Sequence, residues 1–543
     1  MKPKTMKKIK PLSSLIYRKK HENTQKEEHV RNGNAPIFLC LKENVEKINN
    51  MMGNSNDLIV REVIIAREPL VKGAVIYLGG IVDEKLVSDL IIKALVEEPM
   101  DINVQTERSM GVLLKSIKSQ ILTVANIKSL DNWDAIIHNL LSGKTILFID
   151  GVSEALVGGT EGGEKRPVEE PTSEITVRGP KDGFTETIST NIALVRRRLK
   201  SPHLRVDMIH LGAISQTDVA IVYLEGVANE KIVKEVRDRL NRIEIDEILS
   251  SGNIEELIQD HSFTVFPTIF NTERPDIVAN TISDGRVSII VDGTPFVLIV
   301  PTGFSQFFKA AEDYYQRYDL GTLIRMLRYC AFTLALLGPS IYIALITFHQ
   351  DLIPTTLVIS LAAQREGIPF PAFIEALIME VTFEVLREAG VRMPRAIGQA
   401  VSIVGALVIG QAAVQAGIVS AAMVIVVAGT AIASFTTPAY NLAVAGRILR
   451  FVMMVMAAAM GLYGIIIGLI VLVAHLSSLR SFGVPYLAPF APLSVEDQKD
   501  GLFRFPLWAR RKRPRLVSQK RTVRMKQGMK PSPPNRKDES TNA

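Results

Sequence analysis

Cysteine is nearly absent from this sequence: Cys40 and Cys330 are the only two among 543 residues. One lies in a polar half of the chain and the other at the edge of an apolar stretch, so neither a disulfide framework nor a zinc site is expected. Histidine is sparse as well. The eight are scattered, with His349 and His475 at the ends of apolar runs, and no HExxH, GxSxG or CxxC pattern occurs. The chain therefore reads as a non-enzyme with no cofactor and no metal. The N-terminus has no apolar run of signal-peptide length, because Pro11 to Tyr17 is short and interrupted, and no cleaved signal is expected. Long apolar runs are missing before about residue 329 and crowd together after it, so composition has to be read by segment.

The net charge of +7 is likewise uneven. Residues 1–35 hold ten Lys/Arg against three Glu, and 496–543 hold fourteen against five acids, so the two ends carry about +7 and +9. No nucleic-acid motif accompanies this charge, which excludes nucleic acid as the expected partner. Basic ends beside apolar helices instead fit anionic lipid or the positive-inside bias. Residues 1–55 read as a basic disordered extension and 481–543 as a basic tail.

Between the extension and the apolar half the pattern is α/β. Leu58-Ile59-Val60 and Ala74 to Leu78 read as strands, and Glu84 to Glu97 as an amphipathic helix. The strongest signal is an internal repeat. Val75-Ile-Tyr-Leu-Gly-Gly80 with Asp83-Glu-Lys-Leu-Val87 recurs as Ile221-Val-Tyr-Leu-Glu-Gly226 with Asn229-Glu-Lys-Ile-Val233. Ser142-Gly-Lys-Thr to Asp150-Gly151 recurs in the same order as Asp284-Gly-Arg-Val to Asp292-Gly293. Two related α/β subdomains follow, 56–160 and 203–325, joined by a Gly- and Pro-rich connection, 161–202.

The repeat also removes a tempting motif. Gly143-Lys144-Thr145 resembles the end of a phosphate-binding loop, but His138 stands where the first glycine is needed and a strand follows instead of a helix. The second copy has Arg286 and Val287 at the equivalent places. Both are expected to be turns feeding strands.

The membrane domain is expected over 326–480, with four spans at about 329–348, 396–416, 418–437 and 451–476. The first contains Gly338-Pro339-Ser340, which permits a kink. The segment 355–395 is harder. It is broken at Pro369, Phe370 and Pro371 and then forms a helix bearing Glu375, Glu380, Glu384 and Glu388, which lipid would not tolerate. An amphipathic or re-entrant pair of helices is expected there. Four spans put the soluble region and the tail on one side, the cytoplasm, although they leave Arg392, Arg395, Arg447 and Arg450 on the far side.

Two features of this half carry candidate chemistry. Gln399, Ser402, Ala406, Gly410, Ala413 and Gly417 fall within about 80° of one another on a helix, making a face almost free of bulk. Such a face serves close helix packing or the wall of a narrow pore. Gln411 and Gln415 lie on another face and need partners. Glu380, Glu384 and Glu388 form an acidic stripe with Arg387 beside it. Either it faces solvent or head groups and pairs with Arg365, Arg392 and Arg395, or it attracts cations to a pore mouth as a vestibule.

Several motifs in this half are long and specific. They are Gln364-Arg-Glu-Gly-Ile-Pro-Phe-Pro-Ala372, Met379-Glu-Val-Thr-Phe-Glu384, Leu386 to Pro394, Ala400-Val-Ser-Ile-Val-Gly405 and Phe482-Gly-Val-Pro-Tyr486. Together with the tandem repeat they resemble the A subunit of GerA-type spore germinant receptors over about residues 55–495, and the long basic N-terminus resembles the GerK-like branch. The resemblance marks Pro369, Phe370, Pro371, Arg392 and Pro394 as structural motif residues. It implies a multi-pass protein of the spore inner membrane that works with a transporter-like, nutrient-binding B subunit and a C-subunit lipoprotein. It further implies homo-oligomers, with five copies expected, that form a nutrient-gated cation channel. A non-conducting scaffold of the receptor complex, or the stage V sporulation paralogue that modulates ion release, stands as the alternative. An active transporter fits less well, since the spans show no internal repeat of broken helices.

Overall fold

The computed structural model describes residues 37–531, apart from 68–69, 98–113, 115–116, 119–126, 163–169, 172–173, 175, 394–407, 519 and 527. Its first unit opens with α1 (Leu41–Met52), followed by β1 (Leu58–Arg67) and β2 (Leu70–Leu78). A helical stretch α2 then runs from Glu84 to Glu97 with a π-helical middle, Val87–Ile92. β3 (Ile127–Leu130), α3 (Trp133–Leu140), β4 (Thr145–Ile149) and β5 (Ala155–Gly158) complete it. The second unit repeats the plan with α4 (Ile188–Arg198), β6 (Leu204–Leu211), β7 (Thr217–Leu224), α5 (Glu230–Leu240), α6 (Ser251–Ile258), β8 (Phe270–Thr272), α7 (Pro275–Ser283), β9 (Val287–Val291) and β10 (Val297–Val300).

The strand orders are β1-β2-β4-β5-β3 and β6-β7-β9-β10-β8, one order read twice, and every named pairing within them is antiparallel. Helices cover both faces of each sheet. In the first unit Ile76, Ile146 and Phe148 face α1 and α3, while Val75, Leu147 and Ile149 face α2. This explains why the central strands β4 and β9 are buried at every residue and apolar almost throughout.

The repeats begin earlier than expected. Leu41, Ile48 and Met52 of α1 sit in the first core, so residues 41–52 belong to the first subdomain and not to a disordered extension. α4, expected within the connection, is the matching opening helix of the second. The two units meet through Arg196 of α4, which is 1% exposed and binds Asp57 at 2.6 Å and Ser55 at 3.0 Å. The glycine turns behave as expected. Gly143 and Gly285 have φ of +88° and +97° and deliver the chain into β4 and β9, and the Lys144 ammonium is held by Asn139 at 3.1 Å.

After β10 a 3₁₀ turn, Phe304–Phe308, leads to α8 (Tyr318–Thr347). α9 (Thr355–Arg365), α10 (Ala372–Arg392), a helical stretch over 408–415, α11 (Ala421–Ser434) and α12 (Tyr440–Ser478) follow. Pro339 lies inside α8 without interrupting it.

Among the described residues two helices are long and apolar enough to cross a membrane, α8 and α12, where four spans were expected. The span placed at 418–437 forms α11, whose 14 residues extend about 21 Å, short of a hydrocarbon core about 30 Å thick. Most of 396–416 lies outside the described residues. The span placed at 451–476 is part of α12, and α12 is not straight: Gly461 has φ 62° and ψ −139°. A Cβ on Gly464 would lie 2.0 Å from the Met456 carbonyl oxygen, and one on Gly468 2.7 Å from the Met453 Sδ. In an unbroken helix those pairs stand about 12 and 22 Å apart. The chain therefore reverses at Gly461, and α12 is a hairpin of two arms, 440–460 and 462–478, packed closely through Gly464 and Gly468.

The hairpin returns to the second subdomain, where an aromatic joint binds the two regions. Phe308 stacks on Tyr329 at 4.0 Å and meets Phe332 edge-on at 5.4 Å, and His475 hydrogen-bonds Thr264 at 2.9 Å. Beyond it, the chain described up to residue 531 packs on the second subdomain instead of hanging free as a tail. Val517 and Ser518 are buried, Ser518 Oγ donates to the Val227 carbonyl at 3.0 Å, and Arg513 Nε donates to Ser283 O at 2.7 Å.

Candidate functional site

α10 begins where Pro371 ends the bend after α9. Proline there costs nothing, because its missing N–H falls in the helix turn that has no internal acceptor. Pro369, Phe370 and Pro371 are exposed, and the backbone of this bend approaches Gly417, whose Cβ would lie 3.5 Å from the Gly367 carbonyl oxygen. Arg392 pairs with Glu388 at 2.7 Å on the exposed end of α10, while Pro394 lies outside the described residues.

The acidic stripe descends from the interior to the surface. Glu380 is 4% exposed, Glu384 is half-buried and Glu388 is exposed. Lipid would reject the first two, and each finds arginine on the first arm of α12. Arg450 Nη1 donates to Glu380 Oε2, and Thr430 Oγ1 of α11 donates to Glu380 Oε1 at 3.3 Å. Arg447 donates to Glu384, whose other oxygen takes Arg387 Nη1 at 3.2 Å. Arg387 also reaches Ser434 Oγ at 3.1 Å and lies over the Phe435 ring at 5.3 Å. Higher in the bundle Glu375, fully buried, binds Arg365 at 3.1 Å and accepts from the Ser420 amide at 2.9 Å.

Three arginines thus face two carboxylates at the centre of this cluster. Arg450 Nε and Nη2 and Arg447 Nε are buried without a hydrogen-bond partner among the described residues. The pairs Glu380/Glu384 and Arg447/Arg450 lie one helical turn apart on two facing helices, and that matched spacing is the signal sequence reasoning missed. The partners expected for the stripe were Arg365, Arg392 and Arg395. Arg392 does pair with Glu388, but Arg365 serves Glu375, and Arg395 lies outside the described residues.

Of the small-residue face, Gln399, Ser402 and Ala406 lie outside the described residues. Gly410 is buried with its Cα side toward Val424 of α11, where a Cβ would stand 3.5 Å away, and Ala413 packs in the same bundle core. Gly417, φ 64°, forms the turn that ends this stretch. The described part of the face thus packs within the chain's own helical bundle. Gln411 and Gln415, with Ala412 and Ala416, are exposed. Among the described residues no group of three or more His, Cys, Asp or Glu is placed to hold a metal ion.

Residues 46–516 match the family described as Bacillus/Clostridium GerA spore germination protein. Spore germination protein KA of Bacillus subtilis (strain 168) is 49% identical over 500 residues, 92% of this chain and 91% of the relative. Spore germination protein GerLA of Bacillus cereus is 41% identical over 492 residues, covering 90% and 98%. Among solved structures, the N-terminal domain of the A subunit of the Bacillus megaterium spore germinant receptor GerK3 matches with a TM-score of 0.39 and 36% identity, over 50% of this chain and 98% of that one. The chain belongs to the GerA spore germination protein family.

Proposed function

We propose that this chain is the A subunit of a germinant receptor, a non-enzymatic, multi-pass protein of the spore inner membrane whose soluble region and C-terminal segment face the cytoplasm. The observation that carries this reading is the identity to spore germination protein KA along nearly the whole of both chains. In this reading the protein acts with a nutrient-binding B subunit and a C-subunit lipoprotein, and several copies surround a cation pathway that opens when nutrient binds.

The channel reading draws on the stretch 408–416. Two amides, Gln411 and Gln415, stand exposed on an otherwise apolar face, and an amide in hydrocarbon needs a partner. A neighbouring copy or an aqueous pore supplies one. In this reading the pore wall is the exposed side, Gln411 and Gln415, and the packed side, Gly410 and Ala413, serves the bundle core. A non-conducting scaffold is the competing reading, favoured by the packing of Gly410 within the protomer.

Spores carrying the Gln411→Leu, Gln415→Leu double variant test the proposal. At normal receptor abundance they are expected to bind nutrient yet release potassium at least tenfold more slowly. Normal release would reject this face as the pathway. Absence of conductance from the whole receptor reconstituted in bilayers with nutrient would favour the scaffold.

A further inference from the structure

The C-terminal segment closes over the second subdomain and leaves a cavity of about 90 Å³ beneath it. Seven Lys or Arg line it against four Asp or Glu. The acids are already engaged. Asp284 binds Arg524 at 2.8 Å, Glu496 binds Lys499 at 3.0 Å, and Asp497 accepts from the Ser494 hydroxyl at 2.8 Å. Asp500 alone is shared among Lys309 at 3.3 Å, Arg510 at 2.7 Å, Arg325 at 3.3 Å and the Tyr314 hydroxyl at 3.0 Å.

Three of the lining cations, Arg286, Arg511 and Lys512, are not paired with these acids, and Arg286 is the one that holds a buried nitrogen without an acceptor among the described residues. Arg286, just before β9, lines the cavity, its side chain makes no hydrogen bond or ion pair among the described residues, and its Nη1 is buried without an acceptor. Burial pushes both Arg286 and Lys309 below their ordinary values, against the opposing pull of Asp500 on each. A buried guanidinium nitrogen without an acceptor is costly, and an anion placed against it removes that cost. Arg511 and Lys512 add charge around the cavity from the C-terminal segment. The cavity has room for one tetrahedral oxyanion.

We propose that this cavity binds a single phosphoryl group, held by Arg286 and Lys309 on the second subdomain and by Arg510 and Arg511 on the C-terminal segment. The anion would clamp the segment to the subdomain beside the start of α8, independently of whether the protein conducts ions. In repeat one the position equivalent to Arg286 is Lys144, which Asn139 and Glu161 already satisfy. The site therefore belongs to the second repeat alone. Its source is either free phosphate or the terminal phosphate of a lipid such as phosphatidic acid.

The test uses the full chain in detergent, with thermal unfolding followed at constant ionic strength as sodium chloride is exchanged for inorganic phosphate, or as short-chain phosphatidic acid is added against phosphatidylcholine. A saturable rise in Tm with one bound anion per chain is expected. Response to phosphate identifies the free ion, and response to phosphatidic acid alone identifies a head group. Arg286→Gln is expected to weaken binding at least tenfold while leaving the anion-free Tm unchanged or higher, since the arginine side chain makes no bond that its loss would break. Arg286→Lys should restore part of the affinity. No saturable response to either probe, or unaltered affinity in Arg286→Gln, would overturn the proposal.

Discussion

Asp150 and Asp292 hold the same post in the two repeats: the Oδ1 of each accepts from the first amide of the helix that opens its own unit, Leu41 N and Ile188 N, at 2.9 Å in both. A buried asparagine supports each junction. Asn44 exchanges bonds with the Phe38 backbone at 2.9 and 2.6 Å, and Asn191 with the Thr185 backbone at 2.8 and 2.6 Å. A carboxylate that closes a strand thus caps a helix more than a hundred residues away in the chain, which fixes that helix on its sheet. Replacing either aspartate by alanine should cost about 1–2 kcal/mol, and by asparagine less. Chemical unfolding of the soluble region within the full chain measures this, and equal losses at both sites are expected from the equal geometry.

The reversal at Gly461 admits no side chain. Its φ and ψ lie where L-residues are strained, and a Cβ would stand 2.7 Å from His349 Cε1 and 2.9 Å from Phe348 Cβ. Gly461→Ala is expected to destabilise the bundle by about 3 kcal/mol. Reduced Tm in detergent and reduced abundance in spore membranes would register it, whereas Gly483→Ala, with open space around it, should cost only its backbone strain.

Glu380 and Arg450 are both almost fully buried and bonded to each other. Glu380→Gln or Arg450→Met alone should cost about 3–5 kcal/mol, because each leaves a charge without its partner. The double variant Glu380→Met, Arg450→Met should recover most of the loss. A double-mutant cycle on Tm reads the coupling, and additive losses would mean the two do not act as a pair.

Glu174 supplies a pH signature outside the bundle. Burial raises its carboxyl to about 7, against the opposing hydrogen bond from Thr272 and the charge of Arg274. A folded value above the ordinary 4.5 favours the protonated form, so the stability it contributes is full below about 4.5 and is lost as pH rises through about 7. A decline of about 2–3 kcal/mol across that window is expected. Glu174→Gln, which keeps the protonated shape, should flatten it.

Asp500 runs the other way. Burial alone would raise it, but Lys309, Arg510 and Arg325 beside it and the Tyr314 hydrogen bond hold it well below the usual carboxylate range. Its contribution is therefore present above about 3.8 and lost as pH falls further. At neutral pH Asp500→Asn should release the C-terminal segment, read as faster proteolysis near Arg510 and Arg511.

Much of the soluble region was legible in the residues themselves. The strands and helix of Val75 to Val87 reappear at Ile221 to Val233 because one fold imposes one pattern of apolar alternation and turn glycines. The turn at Gly143-Lys144 was readable because its second copy lacks the lysine. The bundle was less legible. Apolar periodicity reports that a segment avoids water, not whether it runs straight, so Phe451 to Leu476 read as one span although Gly461 folds it back. The acidic stripe was visible, while its partners Arg447 and Arg450 were not, since their pairing joins residues about 70 apart.

The sequence alone determined the tandem α/β plan, the apolar helical half and the family, because these rest on local periodicity and on contiguous motifs. Only the tertiary structure decided the hairpin at Gly461, the pairing of Glu380 with Arg450 and the docking of the segment around Asp500 on the second subdomain. Each of those depends on which distant groups meet in a water-poor interior, where an unpaired charge or a misplaced Cβ is costly, and no stretch of chain records that meeting by itself.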